Sequence, residues 1–346
     1  MNKLAYPILC ALVLFTACNK DEPIVSDDGM PIVQAESTYT VVKEENITYA
    51  DGLSHDDSST TPFAIPLKLD IYFPDNNMSN RPVFMFIHGG GFKGGIKHKP
   101  EIVAMADYYA SRGWVFVSID YRTTEELGTI QGMSPEELIT FYQGIAPKEW
   151  VEYALQQAES PIQVQTSVAM YIAQRDAKAA LRWIVANSNN YNINTDFITV
   201  GGASAGAVTT IALGISNQED FKDEIPMTED PTLATTNPNE AYHVSSMIYF
   251  WGSNIKLDLF ESVYGLNRYD SNDPELFMAH GTDYDPVTPF SEALELEGIY
   301  DSLGIYNKLI PLEGEGHGAW DAEVNGKGLF EMSFDFIVDR QNLMVE

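Results

Sequence analysis

The stretch Phe197-Ile198-Thr199-Val200-Gly201-Gly202-Ala203-Ser204-Ala205-Gly206-Ala207-Val208 decides the fold. Its first half is a short apolar, β-branched run of the kind that forms a strand buried on both faces. Its second half continues as an apolar helical pattern to Ile215. One serine stands between them. On so sharp a strand-to-helix turn it has to adopt strained backbone geometry, and the glycines and alanines around it are needed because strand and helix approach too closely for larger side chains. A bare G-x-S-x-G string is a weak signal; the strand before it and the helix after it make it specific. Two phosphate-binding alternatives fail. No Gly-Lys-Ser/Thr follows, as a P-loop requires, and serine occupies the stretch where a dinucleotide-binding turn carries its middle glycine.

Outward from this turn, short β-type runs alternate with longer helical patterns, with no internal repeat. Strands are predicted at Tyr39–Ala50, Leu67–Phe73, Val83–His88, Trp114–Asp120, Phe197–Gly201, Val244–Gly252, Leu276–His280 and Lys308–Leu312. Helices are predicted at Glu101–Arg112, Val168–Asn187, Ala205–Ile215, Phe290–Leu303 and Gly328–Leu343. The alternation argues for an α/β fold, a mostly parallel central sheet flanked by helices on both faces, in one domain over residues 39–346. One segment, about residues 123–166, interrupts the rhythm with helical patterns of its own at Pro135–Tyr142 and Pro147–Glu159. An insertion at the carboxyl end of a strand is expected to form a lid or pocket wall, because ligands of open α/β sheets bind at those ends. Its aromatic residues Phe141, Tyr142, Trp150 and Tyr153 are available either to line an acyl pocket or to pack the insertion onto the domain.

A serine hydroxyl is a poor nucleophile at neutral pH and needs a base, with a further group to orient that base. Of the six histidines, His88 belongs to a glycine run, His280 ends a strand, and His55, His98 and His243 lack a loop beyond the last strand. His317 remains, in Glu313-Gly314-Glu315-Gly316-His317-Gly318, where flanking glycines let a loop carry the imidazole toward Ser204. The segment His280-Gly281-Thr282-Asp283-Tyr284-Asp285-Pro286-Val287 supplies the acid. Asp285 is the candidate and Asp283 its rival; Pro286 restricts and stiffens the chain beside Asp285. A tetrahedral intermediate of acyl transfer also needs preorganised N–H donors for its oxyanion. His88-Gly89-Gly90-Gly91-Phe92, directly after a strand, offers the N–H groups of Gly90 and Gly91, to be joined by that of Ala205.

Glycine loop, serine elbow, acid and histidine, in that order, resemble an α/β-hydrolase of the HGGG class, which includes carboxylesterases and hormone-sensitive-lipase-like esterases. The resemblance runs from about Ile65 to Trp320 and includes Asp120-Tyr121-Arg122. It implies hydrolysis of carboxylic esters through an acyl-enzyme, with Ser204 as nucleophile, His317 as base and Asp285 as its partner, and no metal or organic cofactor. Two departures stand out. Thr123-Thr124-Glu125 leads into the insertion where the family commonly has Leu-Ala-Pro-Glu, and the acid loop is one residue longer than the commonest His-Gly-x-x-Asp form. The alternatives are removal of acyl groups from polysaccharides and peptide or amide hydrolysis by the same machinery. A non-catalytic adhesion protein on this fold is disfavoured because all three triad residues are present.

The resemblance implies a small-molecule or polymer-borne ester as partner, and composition adds an exclusion. The 346 residues carry 20 basic and 50 acidic side chains, a formal charge of −30. Such a chain repels polyanions, so no nucleic acid is expected as a partner. At the start, Met1-Asn2-Lys3 and an apolar run from Leu4 to Ala17 read as a signal peptide over residues 1–17, too short to span a bilayer. Phe15-Thr16-Ala17-Cys18 resembles a bacterial lipobox, with Cys18 the site of lipidation. Lys20-Asp21-Glu22 resembles the surface-export signal of Bacteroidetes lipoproteins. Residues 18–38 read as an acidic tether, and the resemblances imply an outer-membrane lipoprotein, with the cell surface as one location, held to the membrane through its lipid anchor only. The alternative is an ordinary secretory leader cut elsewhere, giving a periplasmic or secreted protein. Both cysteines, Cys10 and Cys18, lie in this segment, leaving the body without a thiol for a disulfide or a metal site. A Cys18→Ser variant is expected to lose its acyl chains and leave the membrane fraction; wild-type protein found soluble and unacylated would overturn the lipobox reading.

Overall fold

The computed structural model describes residues 29–56, 59, 61–222, 224–254, 257–265 and 267–346. Cys10, Cys18, the leader and the first part of the tether lie outside the described residues. Eight strands form one sheet: β1 (Val41–Ser54), β2 (Phe63–Pro74), β3 (Arg81–Ile87), β4 (Val115–Ile119), β5 (Ile193–Ala203), β6 (Ser246–Phe250), β7 (Glu275–Gly281) and β8 (Asn307–Leu312). Their spatial order is β1-β2-β4-β3-β5-β6-β7-β8. The first two pairings in that order are antiparallel, and every later one is parallel. The expected mostly parallel sheet is therefore present, with an antiparallel hairpin at one edge.

The central strands are buried on both faces, and the residues that alternate along them build two different cores. On one face Val83, Met85, Ile87, Val117, Ile119, Ile198 and Val200 pack an aliphatic layer. On the other, Phe84, Phe86, Phe116, Ile248, Phe250 and Phe277 build an aromatic one. Tyr109 and Phe84 meet edge-on at 4.9 Å between centroids, a favoured aromatic geometry. The aromatic face is covered by α1 (Pro100–Ala110), with Ile102, Met105 and Tyr109 inward. The insertion adds α2 (Pro135–Phe141) and α3 (Lys148–Gln157), and α4 (Pro161–Ala186) and α5 (Ala205–Ile215) cover the aliphatic face. Next come α6 (Phe290–Leu303), which adds Leu296 and Tyr300 to the aliphatic core, and α7 (Leu329–Gln341), which adds Met332, Phe334 and Ile337 to the aromatic one.

One buried ion pair ties the β4 end to α4. Arg122 and Asp176 are each almost wholly enclosed, and the Arg122 backbone N–H also donates to Asp176 Oδ2 at 2.9 Å. The Arg122 guanidinium donates to the Leu53 carbonyl at 2.7 Å as well, so both charged groups are satisfied where neither could be tolerated alone. This pair anchors the start of the insertion.

The insertion is helical, as its pattern predicts. Its first helix starts with a capping box: the Glu137 N–H donates to Ser134 Oγ at 3.3 Å and the Ser134 N–H to Glu137 Oε2 at 2.7 Å. Its aromatic residues pack rather than line a pocket. Trp150 is fully buried, with Nε1–H donating to the Ser167 carbonyl at 2.7 Å, and Phe141 stacks on His55 at 3.7 Å. The predicted helix at Val168–Asn187 begins earlier, at Pro161. Proline at the first helical position carries no N–H to leave unpaired, so the start moves upstream to it.

Of the predicted tether over residues 18–38, the described part from residue 29 is docked on the domain. Ile32–Val33 pairs in parallel with Met344–Val345, Val33 is fully buried, and the Gln34 N–H donates to the Arg112 carbonyl at 2.9 Å. Two β-branched residues in an acidic segment suffice to dock it when the other end of the chain offers a free strand edge, a pairing that no local pattern announces.

Candidate active site

Ser204 sits between the end of β5 and the start of α5 with φ 56° and ψ −120°. Such a backbone costs on the order of 1–3 kcal/mol for a residue with a Cβ and persists only where its surroundings impose it. The imposition is close approach: a Cβ on Gly202 would lie 2.3 Å from the Gly206 carbonyl carbon, and one on Gly206 would lie 2.0 Å from the Ile87 carbonyl oxygen. The Ser204 N–H donates to the Phe250 carbonyl on β6 at 2.9 Å. The hydroxyl is thereby held at the carboxyl end of the sheet, where the loops after β3, β7 and β8 converge.

Two of those loops are tied to each other. The Asp283 N–H donates to the Glu315 carbonyl at 3.0 Å and the Gly314 N–H to Thr282 Oγ1 at 3.0 Å. That brings His317 between Asp285 and Ser204. Its Nδ1 lies 2.8 Å from Asp285 Oδ2, and its Nε2 lies 3.0 Å from Ser204 Oγ. A carboxylate only accepts, so Nδ1 carries the proton and Nε2 presents its lone pair to the serine hydroxyl.

Asp285 is buried, and Asp283 is exposed. Burial is the largest influence on the Asp285 carboxyl and pushes its pKa up. Hydrogen bonds from the Thr288 hydroxyl and from the Val287 and Thr288 N–H groups, with the charge of His317, outweigh it, and the net pKa lies below the ordinary aspartate value. Those bonds measure 2.7, 2.8 and 3.2 Å. The acid is thus kept ionised and oriented by its own loop. Thr288, whose Oγ1 also lies 2.9 Å from His317 Nδ1, was not singled out from the sequence. Its signal was present, since an aspartate accepting the N–H two residues on is a common turn device.

The glycine run follows β3 as expected. Gly90 and Gly91 have φ 151° and 63°. Gly91, Ser204 and Ala205 line one open cavity of about 580 Å³; Gly90, next to Gly91 in the loop, has no room for a Cβ beside the Gly94 carbonyl. Ala205 is the first residue of α5, so its N–H belongs to the turn that a helix leaves unbonded. The far wall comes from the insertion and the start of α4: Gln157, Glu159, Gln163, Thr166, Ser167 and Met170. None of Phe141, Tyr142, Trp150 and Tyr153 is among the lining residues. The predicted role of the insertion as a pocket wall is met largely by polar side chains instead, while Phe141, Tyr142 and Trp150 belong to the aliphatic core or pack against it.

A family model described as BD-FAE matches residues 69–130 and 152–299, more than half of the chain. The break between the two matched segments falls on α2 and the first turn of α3, within the insertion. A truncated carbohydrate esterase from gut microbiota superposes with a TM-score of 0.55 at 19% identity, covering 90% of this chain and 99% of that one. Esterase 2 of Thermogutta terrifontis phosphorylated by paraoxon also gives 0.55 at 19%, covering 86% and 94%. The propionate-bound form of an esterase from the same species gives 0.54 at 19%, covering 80% and 90%. No curated protein matches the sequence. At these identities the structures speak to fold alone, and that fold is the α/β-hydrolase fold. By the extent of the family match, the chain belongs to the BD-FAE family and is an esterase of the α/β-hydrolase fold.

Proposed function

We propose that this esterase works through an acyl-enzyme formed on Ser204. The observation that carries the reading is the unbroken contact from Asp285 through His317 to Ser204, with distances of 2.8 and 3.0 Å. His317 Nε2 removes the hydroxyl proton as Ser204 Oγ attacks the ester carbonyl, and then delivers that proton to the departing alcohol. Asp285 holds the ring in the required tautomer and stabilises the imidazolium that forms. The N–H groups of Gly90, Gly91 and Ala205 take the developing oxyanion. Water, activated by the same imidazole, releases the acid.

The cavity supports a polar substrate over a fatty one. Gln157, Glu159, Gln163, Thr166 and Ser167 offer hydrogen-bonding groups on one wall, with Phe92, Met170, Val208 and Val287 the main apolar ones. A long acyl chain would leave those polar groups unpaired, whereas a short acyl group on a hydroxyl-rich alcohol would satisfy them. The second reading, release of acyl groups from polysaccharides, is favoured by the same wall.

Ser204→Ala is expected to lower turnover by about 10⁶-fold and to end labelling by fluorophosphonates; substantial turnover in that variant sinks the covalent mechanism. Asp285→Asn should lower turnover by something on the order of 10⁴, and Asp283→Asn should be mild. The reverse ranking, measured on folded proteins, would move the role to Asp283. On p-nitrophenyl esters of increasing length, beside acetylated xylan and feruloylated sugars, rates should decline with chain length and the sugar esters should be cleaved. A preference for long acyl chains would count against the polar-cavity reading.

A further inference from the structure

Residue 99 breaks a local rule. It is the residue that precedes α1, with φ −58° and ψ 145°, and its side chain makes no capping hydrogen bond. Helix starts favour Ser, Thr, Asp or Asn at that position, and a cation there opposes the helix dipole. A lysine in this place therefore costs the helix something, and such local conflicts concentrate at functional sites. Its bond lies elsewhere: Lys99 Nζ donates to the Gly89 carbonyl at 3.1 Å.

That carbonyl is held on every side the structure describes. His88 Nδ1 lies 3.0 Å from it. Burial is the main cause of a His88 pKa lowered to about 4, so the ring is neutral and Nδ1 is its donor toward this acceptor. Gly95 closes over both groups, since a Cβ there would lie 2.4 Å from His88 Nδ1 and 2.6 Å from the Gly89 oxygen. The far end of the loop is anchored as well: the Lys97 N–H donates to Asp120 Oδ1 at 2.7 Å, and the buried Lys97 ammonium to Asp120 Oδ2 at 3.1 Å and Asn46 Oδ1 at 3.0 Å.

The peptide joining Gly89 to Gly90 is planar, and in a trans peptide the carbonyl and the following N–H point in opposite directions. Holding the Gly89 oxygen on the Lys99 side therefore turns the Gly90 N–H the other way. Gly89 itself stands against the serine turn, since a Cβ on it would lie 2.6 Å from the Ala203 carbonyl oxygen and 3.0 Å from Ser204 Cβ. We infer that Lys99 is a positioning residue for ester hydrolysis, fixing through the Gly89 carbonyl the direction in which the Gly90 N–H meets the oxyanion. This rests on the oxyanion role given above to the glycine loop. Glycine-rich backbone is otherwise free to turn this peptide over, and a donor that wanders loses the advantage of preorganisation.

The test compares Lys99→Met, Lys99→Arg and Lys99→Ser with wild type and with Ser204→Ala, on one short-chain p-nitrophenyl ester and with a trifluoromethyl ketone, which forms a tetrahedral adduct. Loss of one oxyanion donor costs about 10²–10³ in kcat, so Lys99→Met, in which the donor remains but is less well aimed, should lose about tenfold or more. KM should hold, and affinity for the ketone should fall in step with kcat. Lys99→Arg, which keeps a donor, should recover most of the loss. Lys99→Ser should melt no lower than wild type, because serine caps α1, yet it should be as slow as Lys99→Met. The deficit should persist in high salt, which screens long-range charge but not a direct hydrogen bond. Unchanged kcat in Lys99→Met with Ser204→Ala inactive overturns the proposal, as does a loss confined to KM or one abolished by salt. Turnover by Ser204→Ala overturns instead the reading of the site on which it rests.

Discussion

The contact between Gly202 and Gly206 governs the rest of the molecule. Strand β5 runs into helix α5 with no loop between them, and the chain can turn so sharply only because neither residue carries a side chain. The serine between them is forced to positive φ, which throws its hydroxyl clear of both elements. Two consequences follow from the same turn. The first N–H groups of α5 are left without helical partners directly beside the hydroxyl, and the serine backbone is locked to β6 through the Phe250 carbonyl. The exposed serine hydroxyl and the unbonded end of a helix thus come from a single packing constraint.

The sheet supplies the remaining parts by position. Because β3, β5, β7 and β8 are parallel, their carboxyl ends all open on one edge, and the loops that leave them bear the glycine run, the serine, the aspartate and the histidine. The two cores keep this edge rigid. Aliphatic and aromatic side chains alternate along the central strands, so a slip of one residue would exchange the two layers and misfit both. Rigidity at the edge is what lets hydrogen-bond distances near 3 Å between residues far apart in sequence recur in every molecule.

Charge is handled locally within a strongly acidic chain. The Asp285 carboxylate is stabilised in its ionised form by loop donors and by His317, and the Arg122–Asp176 pair secures the point at which the insertion departs. Around the glycine loop the sequence places Lys93, Lys97 and Lys99. One lies in the cavity wall, one is buried against Asp120 and one holds the Gly89 carbonyl.

Some of this was determined by the sequence alone. The serine elbow, the alternation of strands and helices, the glycine run and the histidine loop follow from short-range chemistry: glycine where no Cβ fits, β-branched runs for buried strands, and a loop after the last strand. The structure brings Ser204 and Asp285 within hydrogen-bond distance of His317, and it places Asp285 rather than Asp283 against the ring. The two stand two positions apart on one loop, and only the folded loop sends one inward to Thr288 and His317 and the other to solvent. Tertiary structure alone turned the aromatic residues of the insertion inward, leaving a polar wall, because a helix pattern states which residues are apolar but not which neighbour they will meet. It alone docked Ile32–Val33 on the opposite end of the chain. It alone joined Lys99 to Gly89, a bond between side chain and backbone ten residues apart whose existence depends on how a glycine loop folds back on itself.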